Sequence, residues 1–119
     1  MGMGHLVRSF RLAEELAEAF HVIFLNGGPV PAGINPPINI TLINLPALGM
    51  SEQDHLLFSH DTRYSVDEAK LIRQQTILQM FNQYQPEVIL IELFPFGRKK
   101  FADELIPLLS AAHQERSKP

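Results

Sequence analysis

Cysteine is missing altogether from the 119 residues. Its absence excludes a disulfide framework and any thiolate-bound metal, and it suits a cytoplasmic protein. Excess charge is missing too. A net charge of −3 and an isoelectric point near 5.9 give no electrostatic case for nucleic acid or for an anionic membrane. Long apolar runs are missing as well: the strongest, residues 22–25 and 88–91, fall far short of the ~20 residues that span a bilayer. Arg8 and Arg11 lead into an acidic amphipathic stretch rather than an apolar one, which is not the pattern of a secretory signal. No internal repeat or low-complexity tract interrupts the chain. An apolar content of 45% and a charged content of 19% fit one soluble domain over 1–119, large enough for a single core.

Read in order, the chain alternates helical and extended patterns. Leu6, Phe10, Ala13, Ala17 and Phe20 recur at helical spacing and predict a helix over 5–20 with Glu14, Glu15 and Glu18 toward solvent. The run 21–25 reads as a buried strand ended by Asn26-Gly27-Gly28. Residues 26–37 hold four of the nine prolines and three of the seven glycines, so they predict a loop rather than a crossover helix. A second strand is expected over 38–45, closing at Pro46. Residues 46–64 have no period and read as one long loop, of the kind that is functional or mobile.

Ser65 and Glu68 have capping-box spacing and predict a helix to Tyr84 that buries Val66, Ala69, Ile72, Ile77, Met80, Phe81 and Tyr84, with Pro86 as its stop. The run 87–92 is apolar in its middle and predicts a third strand, covered on both faces. A last helix is expected from Arg98, turning Phe101, Leu105, Leu108, Leu109 and Ala112 inward, kinked or split at Pro107. This alternation predicts an α/β fold, an open, mostly parallel sheet with helices on both faces. Ligands of such sheets bind beyond the carboxyl ends of the strands. Those ends would be Asn26-Gly27-Gly28, Pro46-Ala47-Leu48 and Glu92-Leu93-Phe94.

Several residues there have chemistry to offer. Gly2 and Gly4 lead into His5 and read as a glycine turn feeding a helix N-terminus, where backbone amides can meet an anion. A helix N-terminus disfavours the imidazolium, so His5 there is a neutral, available base; capping the turn is the competing role. Glu92 could accept from His5 and fix its tautomer, or simply face water at a strand end. Arg98, Lys99 and Lys100 follow Gly97 at a helix start, where the macrodipole disfavours cations. They could hold a phosphate or form a solvated basic face. Arg8 and Arg11 lie within helical reach of His5, or pair with Glu14 and Glu15. Asp54, His55, His60 and Asp61 are metal-ligand types without a recognised spacing, and no metal site is expected from them.

Three motifs carry a resemblance: Gly-x-Gly-His-Leu-x-Arg at 2–8, Asn-Gly-Gly-Pro-Val-Pro at 26–31, and Ile-Glu-Leu-Phe-Pro-Phe-Gly-Arg-Lys at 91–99. They are collinear, span most of the chain, and resemble a bacterial group of predicted glycosyltransferases. That group belongs to the GT-B superfamily and is related to the enzyme that adds N-acetylglucosamine to the lipid-linked peptidoglycan precursor.

The resemblance implies a three-layer, Rossmann-like N-terminal domain that binds the acceptor and faces a second domain holding the nucleotide-sugar donor. His5 would be the catalytic base, with Glu92 standing where relatives place a supporting aspartate, one methylene longer here. Gly2, Gly4, Arg8, Gly27, Gly28, Arg98 and Lys99 would line the substrate and phosphate sites, without a cofactor. Against the family pattern, the first, central strand and the donor domain are lacking. The chain is therefore expected to be a fragment without transfer activity of its own. Its gapped sheet leaves room for self-association, and its parent for peripheral contact with a membrane. Two other readings stay open: a sugar-nucleotide epimerase of the same architecture, and a non-enzymatic α/β module that binds an anion or a partner.

Overall fold

A computed structural model describes residues 2–54, 56–91 and 102–116, with side chains over 6–54, 56–91 and 104–114. Helix α1 (Gly2–Leu16) is followed by strands β1 (Ile23–Asn26), β2 (Thr41–Asn44), β3 (Leu48–Met50) and β4 (Leu57–Ser59), then by helices α2 (Val66–Tyr84) and α3 (Ala102–Arg116). The class is α/β, as the alternation predicts. Among the described residues the sheet is smaller than expected. β1 and β2 pair in parallel with Ile23 opposite Thr41 and Asn26 opposite Asn44, and β3 and β4 form a separate antiparallel pair.

Helix α1 starts three residues earlier than its apolar spacing suggests and ends earlier too. Gly2 and Gly4 are helical rather than a turn. Bonds from Glu18 to Glu15 and from Ala19 to Leu16 tighten the chain after Leu16, which leaves Phe20 exposed and Ala17 half-buried. Leu6, Phe10 and Ala13 are buried as their period requires, and the Phe10 ring packs on Phe24 at 5.0 Å between centroids. Leu25, the next residue, packs instead on the core made by Leu45, Ile77, Phe81 and Leu108. Successive strand side chains point to opposite faces, so consecutive residues of β1 serve two different apolar contacts.

The link 27–40 between the parallel strands is a loop without a helix, as its prolines dictate, and Gly33 supplies its one positive φ, +85°. The segment 46–64 is not one irregular loop. It holds the β3–β4 hairpin, whose three-residue strands are too short to display an alternating pattern.

Helix α2 begins where its capping box places it: Ser65 Oγ accepts from the Glu68 amide at 3.1 Å, and Glu68 Oε1 accepts from the Ser65 amide at 3.1 Å. It ends at Gln85, which takes a left-handed conformation just before Pro86. Its buried stripe is Ala69, Arg73, Ile77 and Phe81, while Val66, Ile72 and Met80 are half-buried and Tyr84 is exposed. Helix α3 runs unbroken through Pro107. Both inner-face neighbours of that proline, Glu104 and Leu108, are buried, so packing carries the helix past the lost amide. Leu105 and Ala112 are half-buried, and Leu109 points outward.

Residues 87–91 do not form a strand. Ile89 reaches the core, but Val88 and Leu90 are 67% and 61% exposed. An unbroken apolar run makes a strand only where a neighbour offers a ladder, and among the described residues no strand pairs with this run.

Candidate functional site

The carboxyl ends of β1 and β2 lie side by side and are fastened at three levels. Nearest the strands, the Leu45 amide donates to Asn26 O at 2.8 Å and the Leu48 amide to Gly27 O at 3.2 Å. Then the buried Asn26 side chain turns its Nδ2 to Asn44 Oδ1 at 3.1 Å and to Gly28 O at 2.8 Å, while its Oδ1 receives the Gly28 amide at 3.3 Å. An asparagine suits this place because it can donate and accept at once in a tight turn.

The third level is Arg73. Its Nη1 donates to Gly27 O at 2.6 Å and to Pro46 O at 2.9 Å. On its other edge Nε and Nη2 donate to the two Glu104 oxygens at 2.8 and 3.0 Å. The pair is almost out of water, with side-chain exposures of 5% for Arg73 and 9% for Glu104. Only a planar fork with donors on both edges can serve a carboxylate and two carbonyls together. One side chain of α2 thereby joins both strand ends to the first turn of α3.

Of the anticipated site residues, Gly27 and Gly28 belong to this edge. Gly27 contributes its carbonyl and Gly28 its amide and carbonyl to internal bonds. Gly2 and Gly4 lie in the first turn of α1, so they belong to the helix rather than to a turn before it. His5 is part of the same turn, and its side chain falls outside the described residues. Arg8 is exposed on α1. Glu92, Arg98 and Lys99 also lie outside the described residues, so the His5–Glu92 pairing does too.

In the hairpin region, Asp54 Oδ1 accepts from the Leu56 amide at 3.0 Å, and the His60 ring lies 4.7 Å from that of Phe58. Asp61 makes a two-pronged pair with Arg63, Nε to Oδ1 at 3.0 Å and Nη2 to Oδ2 at 2.7 Å. That hydrogen-bonded guanidinium lowers the Asp61 carboxyl from its ordinary 3.8 to about 2, and Asp61 in turn raises Arg63. Among the described residues no group of three or more metal-ligating side chains gathers.

Arg73 and Glu104 escape sequence reasoning. Each occupies an inner-face position of its helix, and a charged residue on an apolar stripe is the one signal that could have marked them. Asn26, read only as a strand terminator, is likewise a member of the edge. Among the described residues no helix is long and apolar enough to cross a membrane. Compared with known proteins, the chain matches no family model, no curated protein and no solved structure.

Proposed function

We propose that the chain is the acceptor-side part of a nucleotide-sugar-dependent glycosyltransferase, built as a three-layer Rossmann-like unit and working in the cytoplasm. The observation that carries the reading is the pairing of β1 and β2 in parallel with their carboxyl ends drawn together at Gly27 and Pro46. Open α/β sheets take their ligands at that edge. The opposed contacts of Phe24 and Leu25, one toward α1 and one toward the core of α2 and α3, support helices on both faces. The three motifs at 2–8, 26–31 and 91–99 supply the chemistry.

In this reading His5 takes the proton from an acceptor hydroxyl as its oxygen attacks the anomeric carbon. The bond from that carbon to the donor phosphate breaks, and the nucleoside diphosphate leaves with the electron pair. General-base help of this kind contributes ~10²–10⁴-fold in rate. Glu92 would steady the imidazolium, and Arg8, Arg98 and Lys99 would meet phosphate charge. In this reading the donor is bound by a second domain. A parent acting on a lipid-linked acceptor would work at the membrane surface.

The test is turnover of sugar nucleotides by the gene product containing this chain together with its donor half, with and without hydroxyl acceptors. Diphosphate release that needs an acceptor and falls by the factor above in His5→Ala supports the transferase. Product formed without acceptor points to the epimerase, and no turnover of any sugar nucleotide leaves the non-enzymatic module.

A further inference from the structure

The α2–α3 side of the molecule offers one charged group that packing alone does not call for. A buried ion pair can be replaced as a whole by apolar side chains of similar volume with little loss, because the desolvation of the two charges offsets most of their attraction. Arg73, however, spends two of its N–H donors on main-chain carbonyls of two different loops, Gly27 and Pro46. Those carbonyls close β1 and β2, at the edge where the proposed acceptor would sit. Two more go to Glu104 in the first turn of α3, three residues beyond Phe101 and close in sequence to the Arg98-Lys99 run.

We propose that Arg73 is a positioning residue for the acceptor edge: it sets the spacing of the 27–28 loop and the 46–48 turn, and registers both against α3. The inference rests on the transferase reading for what the edge binds, though not for how the edge is held. Arg73 touches no reacting atom. Its effect passes through Gly27 and Pro46, and Glu104 keeps the guanidinium turned toward them. Lysine keeps the charge, but its ammonium is a single point and cannot span a carboxylate and two carbonyls.

Native-state hydrogen exchange on the 119-residue chain, wild type against Arg73→Lys, separates a positioning role from a merely structural one. The expected result is local. Amides that report the edge, Leu45 and Leu48, should exchange at least ~10-fold faster, since each loses support from a hydrogen bond to a charged group. Amides at the end of α1, Ala17 and Phe20, should be unchanged. A uniform rise across all four amides, or no rise at the edge, overturns the proposal.

The second arm uses the transferase containing the donor half. Arg73→Lys should raise the acceptor KM by ~10-fold or more, with a smaller change in kcat and none in donor KM. Equal loss of both kinetic constants for both substrates also counts against the proposal. If the wild-type enzyme transfers no sugar, the functional reading fails, and the exchange experiment still decides whether Arg73 holds the edge.

Discussion

Gly27 and Arg73 fit each other through a missing atom: a Cβ built on Gly27 would stand 2.5 Å from Arg73 Nη2 and 3.0 Å from Nη1. A guanidinium end can ordinarily move aside. This one is pinned by four hydrogen bonds, two of them to Glu104. The close approach of the Gly27 backbone is therefore a requirement of the edge, whatever the edge binds.

Gly27→Ala should destabilise the chain by ~1–3 kcal/mol, because the displaced guanidinium gives up carbonyl bonds in a buried place. Gly28→Ala is the control. Its added carbon meets nothing within 4 Å, and the cost should stay within ~0.5 kcal/mol. Urea unfolding of the two variants checks this, and equal costs would show that the contact with Arg73 does not matter.

The Arg73–Glu104 pair predicts strong coupling. Arg73→Met leaves a buried carboxylate without its partner and should cost ~3–5 kcal/mol, as should Glu104→Leu, which leaves the buried guanidinium without its carboxylate. The double variant should cost less than the sum of the two by ~1–3 kcal/mol, since residues sharing one network are not additive. A domain has only ~5–15 kcal/mol in total, so the single variants approach unfolding. Chemical denaturation of the four-member cycle measures the coupling; simple additivity would contradict the buried pair.

How much of this was readable beforehand follows from the range of the forces involved. The capping box at Ser65 and Glu68, the stop at Pro86 and the buried stripe of Leu6, Phe10 and Ala13 depend on neighbours within a turn or two, and the chain states them directly. The fate of residues 87–91 depends on whether a distant strand offers a ladder, which no local pattern encodes. The β3–β4 hairpin is held by backbone pairs such as Ser51 to Leu56 rather than by apolar alternation. At the site, Gly27 and Gly28 stood out as turn residues. Arg73 and Glu104 lie 31 residues apart in sequence, and nothing in the spacing of either announces the other.

Acid should break the surface pair at the hairpin only below the ordinary carboxylate range. Arg63 lowers the Asp61 carboxyl to about 2 from its ordinary 3.8. A depressed carboxylate stabilises the fold above its unfolded value, and that contribution is lost as pH falls from about 4 through about 2. Asp61 is on the surface, so the contribution is small and screened by salt. A carbon-detected NMR titration should find Asp61 near 2 in the native chain and back toward 3.8 in Arg63→Ala. An Asp61 midpoint that ignores the loss of Arg63 would remove the hydrogen bond as the cause.

The end of α2 predicts a stabilising change. Gln85 holds φ 44° and ψ 64°, the left-handed region, while its amide donates to Phe81 O at 2.9 Å. An L-residue with a Cβ is strained there by ~1–2 kcal/mol, because the Cβ crowds the following carbonyl. Glycine removes that strain and keeps the amide, at the cost of a more flexible unfolded chain, ~0.5–1 kcal/mol. The balance favours Gln85→Gly by about 0.5–1 kcal/mol, or a rise of roughly 2–4 °C in Tm for a domain of this size. Gln85→Ala, which keeps the Cβ, should gain nothing. The Gln85 side chain is exposed, so neither substitution disturbs the core. Thermal unfolding of both variants separates the two terms: a gain in both would mean that the glutamine side chain, rather than the left-handed backbone, carries the cost.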